Sequence, residues 1–344
     1  MAAVSIILVN YNTSSDTLEC ISSLLNNNFI DFNIIVVDNN SDIVNQNILI
    51  DFAQRGSKKE SDISHHNQFA HLNDIIFYQI KNFNVSDFDN LNISEISKCR
   101  ITILFNNENN GLAAANNIGM KLAKQLDSKF IWLLNNDVII DSNALASLVK
   151  YFQDSNQNIG VVGSKVLFYD EPEKIQSIGG LFNPYTTKQV HIGYNEIDTG
   201  QFDNSSVSIS YPYGASLFIK TEYYDKVGPI NEEYFLYFEE LDWIKKGNRI
   251  GYNSGYCFQS KVFHKQGKST GKKLFTPRTE FIACLFCRNL LIFYKRHYPL
   301  LLPIAWSRLF LNYIKAIYKQ NYGEAFVTLR VMFGFKNCLR YKTR

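Results

Sequence analysis

The 344-residue sequence has no glycine-rich phosphate loop of the P-loop or dinucleotide type and no internal repeat, which sets aside those two nucleotide-binding architectures and the solenoids. Its six cysteines, Cys20, Cys99, Cys257, Cys284, Cys287 and Cys338, are scattered. Cys284 and Cys287 have metal-ligand spacing, but no second pair or histidine partner accompanies them, so a packed helix face is expected there and no zinc. The N-terminus, MAAVSIILVNYN, lacks the basic region, long apolar core and cleavage site of a signal peptide, and a reducing cytosol is the expected compartment. The longest uncharged stretch of the C-terminal part, His297 to Ser307, is about half of the ~20 residues that a spanning helix needs.

Acidic residues are nearly absent from the C-terminal part. From Gly271 onward there are 14 Lys and Arg against only Glu280 and Glu324, although the whole chain carries a net charge of just +3. Residues 271–344 therefore differ electrostatically from residues 1–270. They are also rich in leucine and aromatic residues, as in NLLIFYKRHYPLLLPIAWSRLFLNYIKAIYK. Basic charge mixed with apolar side chains suits a helix lying on an anionic membrane surface. A helical subdomain with a solvated basic face is the alternative. No recognition motif accompanies the charge, so nucleic acid is not an expected partner.

What is present begins with SIILVN (Ser5 to Asn10) and NIIVVD (Asn33 to Asp38), two β-branched runs around the helical pattern TLECISSLL. This is a βαβ opening. ITILFN (Ile101 to Asn106) and FIWLLN (Phe130 to Asn135) are the next expected strands, with AAANNIGMKLAKQL as a helix between them. The fold class is α/β, a mostly parallel sheet buried on both faces, and in such sheets ligands bind beyond the carboxyl ends of the strands. All four runs end there in Asn or Asp. Residues 55–100, rich in Asn, Ser, Asp and Lys, read as a surface-lying, partly irregular elaboration after the second strand. From about Gly160 to Lys268 come short strands and turns, then a helix at EELDWIKKGNRIG.

Several stretches carry chemistry-bearing residues. Asp38, in VVDNNSD, is either a ligand for a nucleobase or ribose or the cap of a turn. ENNGLAAANNIG places Gly111 where backbone can approach a ligand closely. Asn135, Asn136 and Asp137 interrupt the apolar run FIWLLNNDVII; a tight turn accounts for them, and so does a carboxylate aimed at Mg²⁺ or Mn²⁺, ions held by one or two carboxylates plus substrate phosphates. Glu239, Glu240 and Asp242 crowd the start of one helix, after the aromatic residues Tyr234, Phe235, Tyr237 and Phe238. They are an ordinary acidic first turn, or a general base whose pKa burial has raised. His264 ends the strand-like KVFH and offers a neutral imidazole ligand.

In this order, SIILVNYN, VVDNNS, NNGLAAANNIG, WLLNNDV, GASLFIK with VGPINEEYFLYFEELDW, VFHKQGKS and CRNLLIFYKR resemble the family-2 glycosyltransferases of the GT-A fold, in particular their rhamnosyltransferase-like members. The resemblance spans roughly Ser5 to Arg296, with 55–100 as an insertion. It implies a Rossmann-like nucleotide-binding domain over residues 1–270 and an inverting transfer from a nucleotide-diphosphate sugar, dTDP-rhamnose or a UDP-sugar, to a hydroxyl of a cell-surface glycan or lipid-linked saccharide.

By the same resemblance Asn10, Tyr11, Asp38, Asn110, Gly111 and Asn136 line the nucleotide, and Asn135, Asp137 and His264 form the site of a divalent cation, Mg²⁺ or Mn²⁺. Glu240 takes the place of the catalytic base, with Glu239 beside it and Asp242 as the fallback. Asn135 stands where the family has an acidic residue, and Glu240 where Asp is usual. A catalytically inactive relative of the same fold is one alternative. A nucleotidyltransferase is another, but NYNTSSD lacks the glycine and basic residues of its phosphate loop. A membrane-spanning synthase lacks its apolar segment. The implied location is cytoplasmic, with peripheral attachment to the inner face of the membrane.

Overall fold

A computed structural model describes residues 2–56, 76–155, 158–204, 207–265, 279–335 and 337–338. The elements run β1 (Val4–Asn10), α1 (Ser14–Leu25), β2 (Phe32–Asp38), α2 (Ile43–Gly56), β3 (Phe77–Phe83), α3 (Ile93–Ile96), β4 (Ile101–Asn106), α4 (Leu112–Gln125), β5 (Phe130–Asn135), β6 (Val138–Ile140), α5 (Ala144–Asp154) and β7 (Ile159–Phe168). They continue with β8 (Ile175–Ser177), β9 (Gly180–Asn183), β10 (Lys188–His191), β11 (Ser216–Lys220), α6 (Thr221–Val227), α7 (Glu239–Asn248), β12 (Asn253–His264), α8 (Glu280–His297), α9 (Leu302–Tyr318) and α10 (Tyr322–Met332).

The main sheet has the strand order β3-β4-β2-β1-β5-β11-β7-β12-β6, with β8 paired to β7. Strands β3, β4, β2, β1 and β5 are mutually parallel, and β11 enters antiparallel between β5 and β7. Alternate residues of each parallel strand face opposite sides. Ile7, Ile35, Val37, Leu104, Ile131 and Leu133 join the core under α4, α7 and α8, while Ile6, Leu8, Ile34, Val36, Ile103 and Trp132 join the core under α1, α2 and α5. This is why the strands read as unbroken Val/Ile/Leu runs: neither face is solvated. Each such side chain contributes roughly 1.5–3 kcal/mol on full burial.

The chain leaves β1 toward β2 and β4, then returns to β5 on β1's other side, so the order reverses between β1 and β5. A crevice opens at such a reversal, beyond the carboxyl ends of the strands. Asn10, Asp38, Asn106 and Asn135 all end strands on this edge. Helix α4 packs close to β1, because a Cβ on Gly119 would lie 2.5 Å from Cγ2 of Ile7.

Three expectations are corrected. The 55–100 stretch is more than a surface elaboration: β3 pairs with β4 in the main sheet, and Phe83, Phe88 and Ile96 are buried in the core; residues 57–75 of it lie outside the described residues. Cys284 is not part of a simple packed pair but forms a disulfide with Cys338, a partner 54 residues away that local spacing does not report. Cys287 is buried with its Sγ 3.6 Å from Oγ1 of Thr328. Finally, a 20-residue helical span, Pro299–Tyr318, is long and apolar enough by length and composition to cross a membrane, with mean hydropathy 1.2. The count of uncharged residues missed it because Arg308 and Lys315 interrupt the run without making it polar overall.

Candidate active site

Beyond β1 and β2 lies a buried polar network. The Asn10 amide nitrogen is 2.6 Å from Oδ1 of Asp38, 3.0 Å from Oγ of Ser14 and 3.1 Å from Oγ of Ser41, and its oxygen accepts from Oγ1 of Thr17 at 2.9 Å. Asn136 donates to Thr13 and Thr17, each at 2.8 Å. Asp38 is 0% exposed, and its second oxygen accepts from the Ser41 backbone at 3.0 Å. Burial raises its pKa, against the opposing bonds from Ser41, Asn10 and Gln46. Both oxygens are engaged, so Asp38 organises the loop after β2 instead of presenting a free carboxylate. The neighbouring Asn39 reaches the other wall, donating to Asn109 at 3.0 Å and to the Gly111 carbonyl at 3.2 Å. Tyr11 is half-buried after β1, and Asn110 is exposed at the mouth.

Asp137 and His264 meet where β6 pairs with the end of β12. Oδ1 of Asp137 is 3.1 Å from Nε2 of His264, and Nδ2 of Asn135 is 3.3 Å from the same nitrogen. Nδ1 of His264 faces Oε1 of Gln176 at 2.8 Å, and with its proton donated there, Nε2 presents a lone pair to the carboxylate. A cation between them, either a proton on Nε2 or a metal ion, satisfies both. Their 3.1 Å separation matches the roughly 3 Å edge between neighbouring ligands of an octahedral ion with bonds of about 2.1 Å. The donor set, one carboxylate and one imidazole, fits Mg²⁺ or Mn²⁺ whose other positions are filled by water and phosphate. Burial opposes ionisation of Asp137, but the bond to His264, its charge and that of Lys265 outweigh burial and hold the carboxyl below its usual range. Lys265, buried, is 2.7 Å from Asp16 and 2.5 Å from Glu19 on α1, which ties the end of β12 to the first helix.

Glu239 and Glu240 open α7, and each has one buried carboxylate oxygen without a hydrogen-bond partner. Burial raises both pKa values, and Glu239 is pushed well above the usual range because the charge of Glu240 adds to its burial. The two carboxyl groups titrate as a coupled pair, and the pair holds a proton above the ordinary carboxylate range. A Cβ on Gly214 would lie 3.5 Å from Oε1 of Glu240, and the backbone of Asn135 donates to Ala215 at 3.0 Å, so the segment before β11 bridges the two centres. Tyr213 stands on that bridge, its ring 6.2 Å from that of His264. Burial raises its pKa first, with the charges of Glu240 and Asp137 adding to the effect.

Gly111 closes the opposite wall at φ 95°, where a Cβ would lie 2.4 Å from the Phe235 carbonyl. Leu112 donates to that carbonyl at 2.7 Å.

The sequence profile of Glycosyl transferase family 2 matches residues 5–68 and 87–211, more than half of the chain. The chain belongs to glycosyl transferase family 2. A curated relative, the low-salt glycan biosynthesis hexosyltransferase Agl10 of Haloferax volcanii, is 23% identical over 159 residues, 46% of this chain. The chain spans about half the length of that relative (50%). Among solved structures, GalNAc-T7 with UDP, GalNAc and Mn²⁺ is similar with a TM-score of 0.56 at 12% identity, over 86% of this chain and 49% of that one. The mannosyltransferase PcManGT of Pyrobaculum calidifontis, in complex with GDP-Man and Mn²⁺, gives a TM-score of 0.50 at 13% identity, over 98% and 84% of the two chains. The chain has the GT-A fold, with a helical C-terminal segment following it.

One candidate is engaged by another element. Asp242, the fallback base, is 3% exposed and its Oδ1 is taken by Tyr234 at 2.8 Å and by Nε2 of His297 on α8 at 2.7 Å. Two residues along α7 from Glu240, it is engaged by α8 through His297. Gln176, Tyr213, Asn39, Lys265 and His297 were not singled out in the sequence. Only KVFHK, by placing Lys265 beside His264, carried any local signal.

Proposed function

We propose that this chain is an inverting glycosyltransferase that moves a sugar from a nucleotide-diphosphate donor, dTDP-rhamnose or a UDP-hexose, to a hydroxyl of a lipid-linked or membrane-proximal saccharide. One observation carries the reading: the Asp137–His264 pair and the Glu239–Glu240 pair flank one segment, Tyr213 to Ala215, at the carboxyl edge of the sheet. Ionised Glu240 takes the proton of the acceptor hydroxyl as its oxygen attacks the anomeric carbon. The bond from that carbon to the diphosphate breaks on the opposite side, and the configuration inverts. The proton held by the Glu239–Glu240 pair keeps it from carrying two adjacent charges. Asp137 and His264 would hold a Mg²⁺ or Mn²⁺ ion, with Gln176 fixing the imidazole; the ion supplies positive charge against the diphosphate leaving group. The unpartnered oxygen of Glu240 favours this reading over an inactive relative, in which nothing requires an orphaned buried acceptor.

Calorimetric titration with UDP, dTDP and GDP, each with and without Mn²⁺, tests it, followed by nucleotide release from UDP-glucose, UDP-N-acetylglucosamine, GDP-mannose and dTDP-rhamnose. Metal-dependent binding of one nucleotide and turnover of a matching sugar are expected. Metal-independent binding, or none, would sink the reading.

The membrane-proximal acceptor rests on α9. Trp306, Phe310, Ile314 and Ile317 form one exposed stripe, with Leu311 beside it and exposed Arg308, Lys315 and Lys319 grouped together beyond Leu311. An anionic surface attracts each such cation by about 1 kcal/mol. Vesicles of phosphatidylcholine with phosphatidylglycerol are expected to float the chain, and pure phosphatidylcholine vesicles much less. Phe310→Asp with Ile314→Asp should abolish flotation while leaving Mn²⁺-dependent nucleotide binding unchanged. Flotation that survives high salt and alkaline carbonate would point instead to a spanning helix.

A further inference from the structure

The CRNLL stretch of α8 is wired to the turn that leads into Glu239. That turn is strained: Phe235, Tyr237 and Phe238 have φ of 60°, 70° and 74°, three bulky residues in the left-handed region within four positions. Each costs of order 1 kcal/mol or more, and such conformations persist only where the surroundings over-determine them.

The surroundings here are one side chain and its neighbours. Asn289 is 0% exposed, and its Nδ2 lies 3.0 Å from the Tyr234 carbonyl, 2.8 Å from that of Leu236 and 2.8 Å from that of Tyr237. Its Oδ1 accepts from Nε and Nη2 of Arg288 at 3.0 and 2.9 Å, which fixes the amide so that nitrogen faces the turn. Nη2 of Arg288 also donates to the carbonyls of Glu233 and Tyr234. One helical stripe completes the contact: Phe286 stacks on Tyr237 with centroids 4.4 Å apart, Phe293 lies 5.7 Å from Phe238, and His297 holds Asp242 in the first turn of α7. Residues 286, 289, 293 and 297 are spaced three, four and four apart, a single face of the helix.

Resting on the reading of Glu240 as base, we propose that Asn289, oriented by Arg288, is a positioning residue that clamps the 235–238 turn and thereby aims Glu240 at the acceptor. Without the clamp the turn relaxes toward ordinary backbone angles and the first residues of α7 shift with it.

Asn289→Leu, close in volume but without donors, is the test in the 344-residue chain. Backbone hydrogen exchange should rise in residues 234–240 and stay unchanged in β1, β2 and β5. With the nucleotide sugar turned over in the panel above, kcat should fall about 100-fold, the loss typical of a catalytic group misplaced by about 1 Å. Because Phe235 also backs Gly111 and Leu112, the Mn²⁺-dependent Kd for the nucleotide should rise, but by less than about tenfold and so by far less than kcat falls, a split that general destabilisation would not produce. Should Asn289→Leu fail to fold, Arg288→Met leaves the amide in place but free to rotate, and a loss of about tenfold in kcat is expected. Wild-type kcat in either folded variant, or unchanged exchange in the turn, would overturn the proposal. Glu240→Gln in the same assay separates the two readings: if it retains activity the base assignment fails, and if it alone loses activity only the clamp fails.

Discussion

Glu240→Gln is expected to lower kcat by about 10³-fold, within the 10²–10⁴ range that a general base contributes and equivalent to roughly 4 kcal/mol of barrier. The amide fills the same volume and removes the acceptor lone pair that takes the proton. Donor binding should change far less than kcat, because the proposed base acts on the acceptor hydroxyl. The pH profile carries a second check. A base works only when ionised, so the rate falls as pH drops through its pKa, and burial raises that pKa above the usual glutamate value of 4.5. The acid limb of kcat/KM should therefore lie above the ordinary carboxylate range. An acid limb at or below 4.5, or a Glu240→Gln variant with wild-type kcat, would remove Glu240 from the chemistry.

Glu239 makes the complementary case in stability. Its folded pKa is raised, so its favourable contribution is fully present below the unfolded value of 4.5 and is lost as pH rises through the folded value. Across that window the native state must either keep a proton on Glu239 or bury two adjacent charges. Glu239→Gln should flatten this part of the stability–pH curve, which thermal melts at stepped pH would read directly.

Much of the carboxyl edge of the sheet was legible because its cause is local. β-Branched runs bounded by Asn or Asp identify parallel strands and the edge where they end, and Asn10, Asp38, Asn106 and Asn135 fall on that edge. Gly111 was legible as a place of close backbone approach, though not what approaches it, which is Phe235 from beyond β11. The rest depends on elements that meet only in three dimensions. Gln176 lies on β8, a strand of three residues, and reaches His264 through the pairing of β7 with both β8 and β12. Asp242 has the same acidic character and helix-start position as Glu240; only the approach of His297 on α8 shows that it is consumed by a buried pair. The disulfide and the clamp on the 235–238 turn belong to this class too, because both join α8 to segments many residues away.

Asp137→Ala is expected to abolish Mn²⁺-dependent nucleotide binding, with a loss of affinity above the 10–100-fold that removal of an outer-shell partner costs. The variant deletes the carboxylate and leaves Nε2 of His264 facing Asn135 alone. Gln176→Leu supplies the graded comparison: it leaves both ligands in place but frees the imidazole to rotate, so the affinity for Mn²⁺ should drop about tenfold. Acid should mimic the deletion. The Asp137 carboxyl is held below its usual range, so its charge, and with it the metal-binding carboxylate, is lost as pH falls through that lowered pKa. Calorimetry with Mn²⁺ and the bound nucleotide, on wild type and both variants from neutral to acid pH, separates these cases. An Asp137→Ala variant that binds nucleotide as tightly with Mn²⁺ as wild type would return Asn135, Asn136 and Asp137 to the role of a turn, and the orphaned oxygens on α7 would then need another explanation.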